Sequence, residues 1–371
     1  IMIHLSTLLL SHFRSHKLAR LTLDERPVAI YGKNGSGKTN ILEAVSLFSP
    51  GRGMRRASAL DMTRRPESLG WQLQSDLIRD ALVHQTKITS DVGAATRVLI
   101  VEKPVSQLAL GEISRVIWLV PAMDRLWIEG AEGRRRFLDR ITLSFFPSHA
   151  EASLNYEKAM RERNKLLKEQ VRDAHWYRAI ELQMAQTGIE IHMARKRALD
   201  LIQNAQETAA TEFPVAQLTL EQSEGEMPTA VDDLKSSFEE SRVRDMAAGR
   251  TLVGPHRTDM IGVFQRKGVL ARDCSTGEQK ALLISMVLAN ARALKEQIGA
   301  APLVLLDEVS AHLDNQRRAA LYQEVCDLGA QAWMTGSEID VFPELGNRAQ
   351  AIHVTDADGL SHCIQHETCL I

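Results

Sequence analysis

Gly32-Lys33-Asn34-Gly35-Ser36-Gly37-Lys38-Thr39 fits the phosphate-binding pattern G-x-x-x-x-G-K-[ST]. The residues on either side decide what fold carries it. Pro27-Val28-Ala29-Ile30-Tyr31 is apolar and β-branched, as a strand requires. From Lys38 onward, Ile41, Leu42, Val45, Leu47 and Phe48 recur on one helical face until Pro50-Gly51 stops the helix. Strand, glycine turn and helix together make this a P-loop at the start of an α/β fold. The glycines let the backbone curl so that its N–H groups face phosphates, and the helix N-terminus adds the positive end of its dipole. Gly32 to Thr39, with Asn40 adjoining, are the nucleotide-binding candidates. Lys38 is placed for the β- and γ-phosphates, and Thr39 offers a hydroxyl to Mg²⁺, an ion that keeps most of its waters.

Far downstream, Leu303-Val304-Leu305-Leu306-Asp307-Glu308 is an apolar strand ending in two carboxylates, the Walker B arrangement expected beside a P-loop. Two acids in that position need different roles. Asp307 is the Mg²⁺ candidate, acting through the ion's water shell. Glu308, with Lys38, is the catalytic candidate, orienting or deprotonating the water that attacks the γ-phosphate. Apolar runs ending in acids are common strand termini, so the P-loop supplies the meaning. Between the two lies Cys274-Ser275-Thr276-Gly277-Glu278-Gln279-Lys280, a turn of small residues before an Ala/Leu-rich helix. It aims a second helix N-terminus at an anion. Read alone it is a helix cap, with Ser275 or Thr276 as N-cap and Glu278 in the first turn.

The chain of 371 residues is 44% hydrophobic, enough for a large core in one large domain or two ordinary ones. Residues 1–120 and 251–371 carry the α/β pattern, with further strands at Val92–Val101, Arg115–Val120 and Gln331–Thr335 and a helix at Glu278–Gln297. Residues 121–250 read as a helical lobe inserted between the two core halves. From Glu151 to Glu212 there is no proline and one glycine, Gly188, where the helical spacing of Leu154, Met160, Val171, Ile180, Met184 and Met193 is interrupted. The pattern fits both a projecting hairpin and an ordinary helical subdomain.

The formal net charge of −2 gives the molecule no overall attraction to nucleic acid, so any DNA contact requires a local patch. Short basic clusters stand at Arg55-Arg56, Arg64-Arg65 and Arg134-Arg135-Arg136; each fits a phosphate contact or a solvated face. No stretch approaches the roughly 20 apolar residues of a membrane helix, and the start lacks the form of a signal peptide, so a cytoplasmic protein without a membrane partner is expected. Cys274, Cys326, Cys363 and Cys369 lack CxxC spacing, and reduced thiols rather than a metal site are expected, even beside His362 and His366.

P-loop, small-residue turn, paired acids and the following Ser310-Ala311-His312-Leu313-Asp314, in this order around a helical insertion, resemble the ABC-type ATPase heads of the SMC and RecF group. Three segments narrow the resemblance to the RecF family: Gly35 to Ala44, Arg134-Arg135-Arg136-Phe137-Leu138-Asp139, and Val253-Gly254-Pro255-His256-Arg257-Thr258-Asp259. It spans most of the chain, and the short insertion fits better than the long coiled coils of SMC proteins. The resemblance implies that Ser275, Thr276, Gly277 and Glu278 form a signature contacting ATP held by a second copy. It also implies that Ser310, His312 and Asp314 belong to a D-loop at the dimer interface. An ATP-dependent homodimer would then hold double-stranded and gapped DNA and, with RecR and RecO, help load RecA, while slow DNA-stimulated ATP hydrolysis releases it.

The sequence departs from the pattern in places. Lys33 stands where RecF proteins often have proline, and Glu278 where many signatures have glutamine. Pro121-Ala122-Met123-Asp124 provides no Q-loop glutamine. Thr335-Gly336-Ser337 replaces the switch histidine of transporters, which makes Thr335 the switch candidate. Arg55, Arg56, Arg64 and Arg65 are the DNA-contact candidates. His256 and Arg257 fit a place near the nucleotide and a supporting role equally. Two other classes remain: a transporter's nucleotide-binding subunit, opposed by the absent switch histidine and by residues 134–139, and a nucleotide-dependent scaffold without hydrolysis, opposed by Glu308.

Overall fold

The computed structural model describes residues 2–339 and 342–369, and the chain divides into two compact units. The first comprises Ile1–Asp124, Thr208–Pro214 and Ser275–Ile371; the second comprises Arg125–Glu207 and Val215–Cys274.

The first unit is built on a six-stranded sheet in the order Leu360–His366, Gln350–Ala357, Val28–Tyr31, Ala332–Gly336, Leu303–Leu306 and Val116–Leu119. All neighbours are parallel except the edge strand Leu360–His366. Strands buried on both faces are largely apolar, and Val28–Tyr31, Leu303–Leu306 and Ala332–Gly336 are buried at every position. One face, with Val28, Ile30, Leu303, Leu305, Trp333 and Ile352, shares a core with Leu8, Leu10, Leu73, Leu77 and Ile88. Those residues come from an antiparallel sheet whose order is His16–Thr22, Thr7–Phe13, Trp71–Arg79, Leu82–Ser90, Arg97–Ile100 and Lys103–Val105. The strand expected at Val92–Val101 is shorter, because Asp91-Val92-Gly93 turns, with Gly93 at φ 71°. Helix Thr276–Ile298 is buried from Gln279 through Ala291 without a break, which explains its Ala/Leu composition.

Register decides where chemistry can happen. Leu306 lies opposite both Leu119 and Met334, and Gly336 lies opposite Tyr31. The carboxyl ends of four parallel strands therefore meet at one edge, where open α/β sheets bind ligands.

The second unit combines helices Ala131–Phe145, His149–Lys168, His175–Glu207 and Val231–Ala248 with a small antiparallel sheet. It runs past residue 250, the expected limit of the helical lobe, because Thr258–Phe264 pairs with Ala216–Gln222, Leu218 standing opposite Gly262. Nor is the helix broken near Gly188: His175–Glu207 is continuous. A Cβ at Gly188 would stand 3.0 Å from Leu234 and 3.3 Å from Tyr156, so the glycine there serves close packing.

Arg163 ties the helices together. Wholly buried, it donates from Nε to Glu181 (3.1 Å), from Nη1 to Asp245 (2.7 Å) and Thr251 (2.9 Å), and from Nη2 to the Phe238 carbonyl (2.8 Å). Arg242 makes a second pair with Glu181. Removing one member of such a set strands buried charge. Arg163→Met is expected to lower unfolding free energy by about 3–5 kcal/mol, measured by denaturant titration; a loss below about 1 kcal/mol would show that the cluster contributes little.

Candidate functional site

The P-loop joins strand Val28–Tyr31 to helix Lys38–Ser46, and its shape follows from its glycines. At Gly32 (φ 148°) a Cβ would lie 2.1 Å from the Val354 carbonyl oxygen. At Gly37 (φ 106°) it would lie 2.3 Å from Ser361 Oγ and 2.6 Å from Ser15 Oγ. Any side chain at either point would push the loop off its supports. At Gly35, by contrast, a Cβ would meet nothing within 4 Å, so the cradle is open on that side. From outside, Ser361 Oγ donates to the Ser36 carbonyl (2.6 Å), His16 Nε2 lies 3.0 Å from the Gly37 carbonyl, and Asn40 donates to Ser15 Oγ (2.7 Å).

Lys38 is buried, and its ammonium bends back to the carbonyls of Gly32 (2.6 Å) and Lys33 (3.1 Å), with Glu308 Oε1 at 3.7 Å. Ser36 Oγ is buried and has no hydrogen-bond partner among the described residues. An open cradle, an orphaned hydroxyl and a lysine turned onto its own loop fit a polyphosphate, whose oxygens would satisfy all three.

Asp307 and Glu308 follow the strand Leu303–Leu306. Asp307 Oδ1 accepts hydrogen bonds from Thr39 Oγ1 (3.0 Å) and Thr335 Oγ1 (2.7 Å), while Thr335 Oγ1 accepts the Glu308 N–H (2.8 Å). Thr335 is buried and so binds both acids at once. It also holds Glu308 in a left-handed backbone conformation (φ 53°), uncommon for a residue with a side chain. The Thr39 hydroxyl beside the Asp307 carboxylate is a hard-oxygen pair suited to Mg²⁺, which needs only one or two protein oxygens.

At the start of helix Thr276–Ile298, Ser275 Oγ accepts the Glu278 N–H (3.4 Å) and Glu278 Oε2 accepts the Ser275 N–H (3.0 Å). This reciprocal cap gives Glu278 a local task. Thr276 and Gly277 stand exposed at the tip, in the first turn where a helix's N–H groups have no intrahelical acceptor. In the segment after the acids, Ser310 is buried and Asp314 caps helix Asn315–Leu328 through the Arg317 N–H (2.8 Å); the His312 side chain lies outside the described residues.

The basic candidates separate. Arg55 pairs with Glu43 (3.1 Å) and donates to Asn40 (2.9 Å), while Arg56 and Arg65 are exposed. Arg64 is not a surface group: buried, it donates to the carbonyls of Ser15 (2.8 Å) and Gly359 (3.1 Å) and pairs with Glu67, so it braces the P-loop's surroundings.

Segments 134–139 and 253–259 meet in the second unit. Arg134 holds both Asp259 oxygens (2.8 and 2.9 Å), and Arg135 donates to the Thr258 carbonyl (3.1 Å). Asp139 receives Arg195 at 2.8 and 2.9 Å and His149 at 2.9 Å, and Arg195 also donates to the Pro255 carbonyl (2.7 Å). Burial works against the Asp139 carboxylate, but Arg195 and His149 outweigh it and hold its pKa at about 2. His256 settles into a supporting role. Its Nε2 faces the Thr251 carbonyl (3.0 Å), which can only accept, so Nε2 carries the proton and Nδ1 accepts from the Tyr156 hydroxyl (2.9 Å). Sequence reading offers no signal for Tyr156, Arg195 or the double duty of Thr335, whose partners are remote in the chain.

A family profile described as an AAA domain matches residues 7–79. The DNA replication and repair protein RecF of Rhizobium rhizogenes is 45% identical over 359 residues, covering 94% of this chain and 96% of that one. A solved structure of the recombination mediator protein RecF-ATP in the RecFOR pathway superimposes with a TM-score of 0.83 at 22% identity, covering 98% of both chains. An SMC head domain from Pyrococcus furiosus, bound to the C-terminal domain of ScpA, gives 0.56 at 16% identity, covering 98% of this chain and 96% of that one. With the P-loop and acid pair at the carboxyl ends of a parallel sheet and helices inserted between its halves, the fold is that of an ABC-type ATPase head. Within that class the chain belongs to the RecF family of DNA replication and repair proteins.

Burial, supported by the charges of Arg257 and Arg135 against the Thr251 hydrogen bond, pushes the His256 pKa from 6.5 down to about 4. Between those values the unfolded chain binds a proton that the fold refuses. His256 therefore contributes full stability above about pH 6.5 and loses it, on the order of 3 kcal/mol, as pH falls toward 4. Denaturant midpoints measured from pH 7 to 4.5 should fall less steeply in His256→Asn; parallel curves would remove His256 from the acid response.

Proposed function

We propose that the chain is an ATP- and Mg²⁺-dependent ATPase whose site is completed by a second copy of itself, and that the resulting dimer holds double-stranded DNA beside single-stranded gaps. The observation that carries the reading is the convergence of Lys38, Thr39, Asp307, Glu308 and Thr335 at the P-loop. Lys38 exchanges its loop carbonyls for β- and γ-phosphate oxygens. Thr39 and Asp307 hold Mg²⁺, which supplies charge stabilisation to the transferring phosphoryl group. Glu308 takes the proton of the attacking water, and Thr335, which reaches behind both acids, is a positioning residue in place of a switch histidine.

Dimer completion is supported by the first-turn N–H groups of the exposed Thr276 and Gly277, which suit a phosphate supplied from outside the subunit. The Ser310 to Asp314 segment, which ends on the Asp314 cap of the next helix, then belongs at the interface. ATP that touches both copies links assembly to nucleotide, and hydrolysis, slow and stimulated by DNA, releases the grip. Work with RecO and RecR is supported by the RecFOR pathway named for the RecF-ATP structure, and help in loading RecA is what the resemblance to the RecF family implies. Arg56 and Arg65 are the DNA candidates with free surface, and steep salt dependence is the mark of such contacts.

Lys38→Met should lose ATP binding and dimerisation together. Glu308→Gln should bind ATP, dimerise and turn over on the order of 10²- to 10⁴-fold more slowly. Thr335→Val should slow turnover with little change in ATP affinity, and Thr335→Ser should restore it. Light scattering beside phosphate release reads all four; normal turnover in Glu308→Gln would sink the catalytic assignment.

A further inference from the structure

The chain first leaves the first unit after Asp124 and, after a short return at Thr208–Pro214, re-enters it for good at Ser275. The first and last of these crossings are joined by an ion pair between residues 156 apart in sequence: Lys280 Nζ lies 3.5 Å from Asp124 Oδ2. Lys280 is the fifth residue of helix Thr276–Ile298 and is buried, a costly place for an ammonium without a counter-charge, and its nearness to the positive end of the helix adds to the cost. Asp124 is its ion-pair partner among the described residues.

The position of Asp124 gives the pair its meaning. Strand Val116–Leu119 lies beside Leu303–Leu306, and the Asp307 N–H donates to the Leu119 carbonyl (3.0 Å). The short turn Pro121–Arg125 follows directly, closed by the Met123 N–H on the Val120 carbonyl (2.9 Å). One hydrogen-bonded path thus runs from the acid pair through the strand end and turn to Asp124. From there the ion pair reaches the helix whose tip carries Ser275, Thr276 and Gly277.

We propose that Asp124 and Lys280 form a latch that couples nucleotide in a subunit's own P-loop to the posture of the helix tip it offers to its partner's nucleotide. The inference rests on the proposed nucleotide site and adds its regulation. Both residues are positioning residues. Neutralising either side removes this link between the first turns of the helix and the strand end, while the P-loop, held by Val354, Ser361 and Ser15, is untouched.

The test uses the full chain as wild type, Asp124→Asn, Lys280→Met and the reversed pair Asp124→Lys/Lys280→Asp, with ATPγS and Mg²⁺. Both single variants should bind ATPγS at monomeric dilution with unchanged affinity, yet need at least tenfold more protein to dimerise. The reversed pair should recover most of that loss, which a merely structural defect would not do. Hydrogen exchange over residues 275–283 in the monomer is the second readout: ATPγS should slow it in wild type and in the reversed pair, and leave it unchanged in the single variants. Single variants that dimerise like wild type, or a reversed pair as defective as either, would overturn the latch. Wild type that binds ATPγS but never dimerises would overturn the dimer reading, and the exchange readout then decides the latch. Failure to bind ATPγS at all would overturn both.

Discussion

The turn between Val28–Tyr31 and Lys38–Ser46 has no room for a side chain at either end, and the rest of the first unit is arranged around that constraint. A carbonyl from Val354 occupies the space beside Gly32, and hydroxyls from Ser361 and Ser15 occupy the space beside Gly37. The loop is shaped by two hairpins, one at each end of the chain, whose polar atoms touch its backbone. His16, Asn40 and Arg64 belong to the same framework, each spending its polar atoms on the loop or on its supports. Preorganised N–H donors are effective because they need not be rearranged when an anion arrives. Here the preorganisation comes from residues nearly the full length of the chain apart.

The acid pair shows the same economy. Asp307 and Glu308 are neighbours in sequence and would repel if aimed together. The single hydroxyl of Thr335 separates them by bonding the side chain of one and the backbone of the other. Asp307 is thereby turned to Thr39, and Glu308 rotates out of extended geometry with its carboxylate near Lys38. Strand register supplies the opportunity, because Leu306 and Met334 are paired across the sheet and their successors emerge side by side.

What could be read from the sequence was local. The P-loop, the acid pair and the capped helix at Ser275 each consist of contiguous residues whose backbone demands are written in glycines, apolar runs and cap residues. Parallel-strand composition gave the α/β core for the same reason. The second unit was harder: the strand Thr258–Phe264 finds its partner at Ala216–Gln222 only through the fold, so the expected boundary at residue 250 fell inside the unit. Gly188 looked like a break because spacing alone cannot distinguish a stop from a close contact with Leu234. Arg64 looked like surface because basic residues usually are. The pairing of His256 with Tyr156 spans 100 residues and leaves no periodicity to find.

The buried charges around Arg163 have a mechanical consequence for the helical hairpin. Apolar helix faces can slip past one another by a turn, about 5.4 Å, and find new hollows to fill. Helices His149–Lys168, His175–Glu207 and Val231–Ala248 cannot do so, because Arg163, Glu181 and Asp245, one on each, meet at a single level. A slip of one turn would leave two carboxylates and a guanidinium facing hydrocarbon. Within its own unit the hairpin is therefore pinned in axial register, and it carries displacement as a strut, by tilting or translating whole, and not as a ratchet.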